Sequence, residues 1–178
     1  MPRKSKREDI LRTAYAIVAS DPGGIEAVTY DRLAAETELS KSGLLYHFPS
    51  RHALLVGLHE YTAAVWEDKV RAHAGGKGAE ELSPRERYRA MLVTMSEHEP
   101  LAELMVTLHS RTHPDYTRPW LEVEDRWLPR ADDTAADPNL LAASALASGL
   151  WVHDHIYARP LAEVNRAVIV EKLLELIE

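Results

Sequence analysis

The stretch Thr29–Arg51, TYDRLAAETELSKSGLLYHFPSR, decides how this chain reads. Thr29 is placed to cap a helix over Tyr30–Thr37, with Leu33 and Ala34 on its inward side. Glu38-Leu39-Ser40 then makes a tight turn in which Leu39 plugs the core. Ser40 caps a second, very short helix over Lys41–Tyr46. Pro49-Ser50 closes the unit, and Ser50 caps the helix that follows. Two short helices joined by a three- to four-residue turn make a helix-turn-helix. The second helix begins with small and polar residues (Ser40, Lys41, Ser42, Gly43), which allow close approach to a DNA groove.

Outward from this stretch the chain reads as helices. From Lys6 to Ser20, the residues Ile10, Leu11, Ala14, Ile17 and Val18 follow an i, i+3/i+4 stripe. Leu54, Leu55, Leu58, Tyr61, Val65 and Trp66 continue such a stripe along a long helix, Ser50–Ala74. Ser83-Pro84-Arg85-Glu86 combines a cap, a first-turn proline and a reaching carboxylate. Asp137-Pro138 opens another helix, Arg159-Pro160 breaks it, and a last helix carries Val164, Val168, Leu173, Leu176 and Ile177. Single prolines, Pro119 among them, and Gly75-Gly76-Lys77-Gly78 divide the segments. Alternating strand patterns are absent. The expected fold is all-α with about nine helices, divided into a DNA-binding domain over 1–50 and a ligand-binding and dimerisation domain over 51–178.

The chain has 178 residues and a net charge of −7, unevenly spread. Residues 1–60 hold 8 Lys/Arg and 8 Asp/Glu, so all the excess acid lies beyond them. The first twelve residues are basic, with Arg3, Lys4, Lys6, Arg7 and Arg12 against Glu8 and Asp9. Such an arm meets phosphate, or else serves as a solubilising tail. There is no cysteine, hence no disulfide framework and no thiolate nucleophile. No apolar run approaches the ~20 residues of a membrane span. The basic start lacks the apolar stretch of a signal peptide, so a soluble cytoplasmic protein without membrane contact is expected.

Enzyme signatures are missing. His59-Glu60 and His98-Glu99 lack the second histidine of a zinc-protease helix. The glycine run lacks phosphate-loop spacing, and no GxSxG occurs. No catalytic residue, metal or cofactor is assigned. Among nine histidines, His109 and His113 fall at i, i+4, and His153-Asp154-His155 comes later. Two ligands alone make no metal site, and hydrogen-bonded structural histidines explain them equally.

The run LAAETELSKSGLLYHFPSRHALL, with the first-helix pattern ILRTAYAIVAS, resembles the DNA-binding module of the TetR family of bacterial transcriptional repressors. The resemblance covers about Arg7 to Leu58. It implies that Lys41, Ser42 and Gly43 contact base edges or nearby phosphates, and that Tyr46 and His47 hydrogen-bond phosphates. Thr29 and Tyr30 would touch the DNA backbone. Arg51, at the family's usual lysine, would anchor a phosphate at a helix N-terminus. Arg3, Lys4, Lys6 and Arg7 would add phosphate or minor-groove contacts. One departure is Glu38, where the family usually has glycine. A left-handed residue there would cost roughly 1 kcal/mol and bring negative charge towards the DNA.

The second half carries Trp66, Trp120, Trp127 and Trp151, read as lying on four different elements or turns. Met91, Met95 and Met105 accompany them, and Glu103, Asp115, Glu122, Glu124, Asp125 and Asp154 lie nearby in sequence. Tryptophan faces with carboxylates suit a flat apolar cation; the same residues also serve as ordinary core anchors. The runs LSKSGLLYHFPSRHALL, HPDY…W…WLP and GLWVHDHI are similar to multidrug-binding members of the TetR family, corynebacterial repressors of efflux pumps. That resemblance implies that Trp66, Trp120 and Trp151 line an effector cavity, with Thr107 and Trp127 as further candidates. The expected function is a homodimeric repressor on a palindromic double-stranded operator, released by a small-molecule effector. Alternatives are a regulator sensing a neutral or acidic metabolite, or a metal. The last two helices, with Ala143, Ala147 and Gly149 allowing close approach, are expected to form the dimer interface.

Overall fold

Local capping sets the helices. Ser5 Oγ accepts the Glu8 N–H and opens α1, Lys6–Ser20, whose buried stripe is Ile10, Leu11, Ala14, Ile17 and Val18. The computed structural model describes residues 5–97, 100–128, 137–157 and 159–178. After α1, the Asp21 carboxylate accepts the Gly23 N–H, and a short 3-10 turn, Gly24–Ala27, leads on. Thr29 caps α2, Tyr30–Glu36, and Ser40 caps α3, Lys41–His47. Ser50 Oγ accepts the Ala53 N–H at the start of α4, Arg51–His73. The turn between α2 and α3 differs from expectation. No non-glycine among the described residues has positive φ, so Glu38 carries no left-handed strain. The reason lies one residue earlier: Thr37 leaves α2 in extended backbone while its hydroxyl donates to the Leu33 carbonyl.

Further helices are α5, Pro84–Met95; α6, Leu101–Ser110; α7, Pro114–Trp127; α8, Pro138–Ile156; and α9, Glu163–Glu175. Among the described residues these nine α-helices and two short 3-10 turns are the regular structure, with no strand, so the fold is all-α. None is long and apolar enough to cross a membrane. Pro119 does not divide the chain but sits inside α7. It lies in the second turn, where its missing N–H deprives only the Asp115 carbonyl of a partner. As a result Trp120 and Trp127 share one helix rather than occupying two elements.

The chain groups into two compact units. The first comprises residues 1–65 and 100–121, the second residues 66–99 and 122–178. In the first, α1 packs on α2, on the 3-10 turn and on α6. Phe48, 1% exposed, sits where Gly57 of α4 has no side chain. A Cβ on Gly57 would stand 2.8 Å from Phe48 Cε1 and 3.2 Å from Leu11 Cδ2. The Arg7 guanidinium lies over the Phe48 ring, 4.8 Å from its centroid.

The first unit also buries an aromatic and histidine stack. His59 of α4 is fully buried. Its Nδ1 accepts the Trp120 indole N–H at 3.3 Å, and its Nε2 lies 3.0 Å from His109 Nδ1. Indole only donates, so neutral His59 carries its proton on Nε2 and donates to His109. Both rings stack on Tyr116, with centroids 4.9 and 5.1 Å away. Burial, with His109 beside it, pushes the His59 pKa down to about 4, and burial lowers His109 as well.

In the second unit the Ser83–Glu86 capping box starts α5, and Asp137 caps α8. Tyr88 and Leu92 pack with Ala143, Ala147, Leu173 and Ile177 as the core. The Tyr88 hydroxyl donates to the Leu140 carbonyl. Ala143 and Ala147 therefore serve close packing inside this unit, which corrects their expected place at a dimer interface; Gly149 is exposed. Arg166, 5% exposed, donates to the Ser96 and Leu150 carbonyls and pairs with Asp154 at 2.8 Å.

In Gly57→Ala, helix propensity favours alanine by about 1 kcal/mol, but overpacking Phe48 costs about 1–3 kcal/mol. The urea midpoint is therefore expected to fall at unchanged m; a rise would contradict the packing. For His59 the unfolded state titrates near 6.5 and the native state near 4. As pH falls through that window the unfolded state takes up the proton first, so stability is full above it and lost on the way down. Between pH 7 and 5 the loss from this group is on the order of 2 kcal/mol. The urea-derived stability of His59→Gln is expected to depend less on pH across that range; equal slopes would contradict the buried neutral histidine.

Candidate nucleic-acid interface

The second helix of the motif is anchored from below and bare above. Leu44 of α3 is fully buried. Lys41, Ser42 and Tyr46 are exposed, Tyr46 at 84%, while Gly43 and His47 are half-buried. Ser40 Oγ accepts the Gly43 N–H at 3.2 Å and lies 2.9 Å from Ser42 Oγ. The His47 ring meets Tyr46 edge-on. Lys41 Nζ pairs with Asp31 of α2 at 3.0 Å. Both groups are largely exposed, so the pair contributes little to stability.

The flanking residues are held more tightly. Thr29 Oγ1 accepts the Arg32 N–H as the α2 cap. The Tyr30 hydroxyl donates to the Phe48 carbonyl at 2.6 Å and so ties the start of α2 to the end of α3; burial raises its pKa. Arg51 turns its guanidinium back on the 3-10 turn, donating to the Ile25 and Val28 carbonyls and pairing with Glu26 at 2.9 Å. Arg7, besides covering Phe48, lies 3.6 Å from Glu60. Lys6 is exposed at the start of α1. Arg3 and Lys4 lie outside the described residues. The first unit thus brings Lys41, Ser42, Gly43, Tyr46 and His47 together on α3, with Thr29, Tyr30 and Arg51 holding the helix ends around it.

The candidate effector residues fall in both units. Trp120 and Thr107 belong to the first unit, Trp66, Trp127 and Trp151 to the second. Trp66, Trp120 and Trp127 are buried, Trp151 and Thr107 half-buried. Thr107 Oγ1 and Trp151 Nε1 are shut off from water and meet no hydrogen-bond partner among the described residues. Trp127 Nε1 donates to Glu67 Oε1 at 2.9 Å, and Arg126 grips both carboxylate oxygens at 3.0 and 2.7 Å. Burial alone would raise the Glu67 pKa, but Arg126, the indole N–H and Arg71 together hold it below the usual range. Of the nearby acidic residues, Glu103 is buried one turn before Thr107, Asp115 meets His52, and Asp154 meets Arg166.

The histidines regroup in space. α6 ends at Ser110, so His109 and His113 do not share a helix face. Instead His52, on the first turn of α4, meets His113 and Asp115 at the start of α7. Sequence spacing gave no signal for this meeting, because 63 positions separate His52 from Asp115.

A family model described as the tetracyclin repressor-like C-terminal domain matches residues 85–178, more than half of the chain. The nucleoid occlusion factor SlmA of Idiomarina loihiensis is 30% identical over 101 residues, 55% of this chain and 48% of that protein. SlmA of Shewanella pealeana is 35% identical over 60 residues, 34% of this chain and 29% of that protein. The chain thus spans about half or less of the length of these curated relatives. A crystal structure described as a transcriptional regulator from Saccharomonospora viridis, in complex with choline, superposes with TM-score 0.66 at 21% identity. That match covers 96% of this chain and 94% of the other. Mycobacterium smegmatis AmtR superposes with TM-score 0.58 at 18% identity, over 99% of this chain and 88% of its own. The chain belongs to the tetracyclin repressor-like, or TetR, family and has the fold of TetR-type transcriptional regulators.

Proposed function

We propose that this protein is a dimeric cytoplasmic repressor that binds a palindromic operator and is released by planar or hydrophobic cations, controlling a multidrug-efflux gene. One observation carries the reading: α3 presents Lys41, Ser42 and Tyr46 above a buried Leu44. In this reading residues 1–50 read DNA and residues 51–178 dimerise and bind the effector.

A palindrome needs two reading helices about 34–36 Å apart, hence a two-fold dimer. Exposed apolar side chains on α8 and α9 support one: Leu141, Leu146, Val164 and Val168 are 64, 45, 68 and 52% exposed. Two such helices from each subunit make a four-helix interface. For the effector, Trp66, Trp120 and Trp151, with Trp127, supply aromatic faces, and Thr107 supplies a hydroxyl. Thr107 Oγ1 and Trp151 Nε1, which meet no partner among the described residues, suit groups whose partner comes from outside the chain. Choline, held by the Saccharomonospora viridis structure, is a quaternary ammonium of the class that aromatic faces attract. An effector that releases DNA binds the DNA-free form more tightly by the same factor.

Selection from a random duplex library is expected to return a palindrome. Lys41→Ala should weaken binding to all sequences alike and lower the salt slope by about one. Leu146→Glu should give monomers in light scattering and lose the palindrome. Failure to select any palindrome would overturn the reading. Tetraphenylphosphonium, a hydrophobic cation that does not stack between base pairs, should quench tryptophan fluorescence and weaken operator binding. Neutral triphenylphosphine oxide should do neither. A cation that binds yet leaves operator affinity unchanged would contradict the release mechanism.

A further inference from the structure

We infer that His52, His113 and Asp115 form a binding site for a divalent first-row transition ion, best matched by Zn2+. His52 Nε2 lies 3.0 Å from Asp115 Oδ2, and His113 Nδ1 lies 3.6 Å from the same oxygen. One ligand atom from each residue falls within 4.8 Å of the others. A tetrahedral ion with bonds of about 2.0–2.1 Å holds its ligand atoms roughly 3.3 Å apart. The three groups thus need shifts of only tenths of an ångström to about one ångström to enclose an ion.

The tautomers suit this role. His52 Nδ1 is 3.0 Å from the Tyr116 hydroxyl, and a proton on Nδ1 donating to it leaves the Nε2 lone pair for the ion. This is the outer-shell contact that orients metal-bound imidazoles. The Asp115 backbone N–H points at His113 Nδ1 at 3.1 Å, so that nitrogen carries the lone pair; on binding, the lone pair turns from the amide to the ion. Arg118 approaches the other Asp115 oxygen at 3.7 Å and leaves Oδ2 to the site. Two imidazoles and one carboxylate favour zinc, nickel or cobalt over calcium or magnesium. The His52 and Asp115 side chains are 45 and 41% exposed, so an ion can enter and a water can complete its coordination. The ion would tie the first turn of α4, just after the reading unit, to the start of α7. That regulatory consequence rests on the operator reading; the binding itself does not.

The test uses the full chain, stripped with a chelator and titrated with Zn2+ against a chromophoric competitor, with no DNA present. One ion per chain is expected, and Co2+ should give the visible spectrum of a tetrahedral site. His52→Ala, His113→Ala and Asp115→Ala should each abolish stoichiometric uptake at unchanged far-UV circular dichroism. His52→Gln serves if the alanine variant misfolds. Tyr116→Phe keeps every ligand and the ring stack but should bind about tenfold more weakly. His153→Ala, at the separate His153–Asp154 pair, should bind as the parent does. Uptake that survives His52→Ala and Asp115→Ala would overturn the site. So would no uptake by the parent chain, which would leave His52 and Asp115 as an exposed hydrogen-bonded pair only.

Discussion

Everything the first unit offers to a partner depends on where Phe48 goes. It ends α3, precedes Pro49-Ser50 and the cap of α4, and is buried against the bare backbone of Gly57. Its carbonyl takes the Tyr30 hydroxyl, and its ring lies beneath the Arg7 guanidinium. One residue, through its ring and its carbonyl, thus joins α1, α2, α3 and α4. A helix of seven residues has little stability of its own. The orientation of α3 is therefore inherited from this junction and from Leu44, while its cap aligns only its first turn.

That division of labour explains the polar surface. Residues that face solvent on α3 make weak, exchangeable contacts, as Lys41 does with Asp31. Residues at its borders, Tyr30 and Arg51, are committed to backbone carbonyls. A reading helix needs both: a rigid mount, so that little ordering remains to be done on binding, and groups whose present partners cost little to leave.

Much of this was legible in the sequence because capping is local. Thr29, Ser40, Ser83-Pro84 and Asp137-Pro138 each act within three residues, and each starts a helix where its side chain predicts. Contacts across long separations were not legible. Trp127 meets Glu67 60 positions away, and His52 meets Tyr116 64 away, with no periodicity to announce either. α8 misled for a different reason. Small and apolar residues occur all round it, so composition did not say that Ala143 and Ala147 turn inward while Leu141 and Leu146 turn out. Pro119 misled because a proline early in a helix loses only one backbone bond. Glu38 was legible as a departure but not in its consequence, because Thr37 had already taken the chain out of the helix in extended backbone.

In the proposed operator complex α3 lies in the major groove, and its position there can be read directly. The chain has no cysteine, so Ser42→Cys provides a single attachment point for an iron chelate that cleaves nearby DNA. On a selected palindrome, cleavage is predicted within the major groove of both half-sites, about 10 base pairs or a multiple of that apart and related by the two-fold axis. Cleavage confined to one half-site, or none above the level given by the free chelate, would contradict the account.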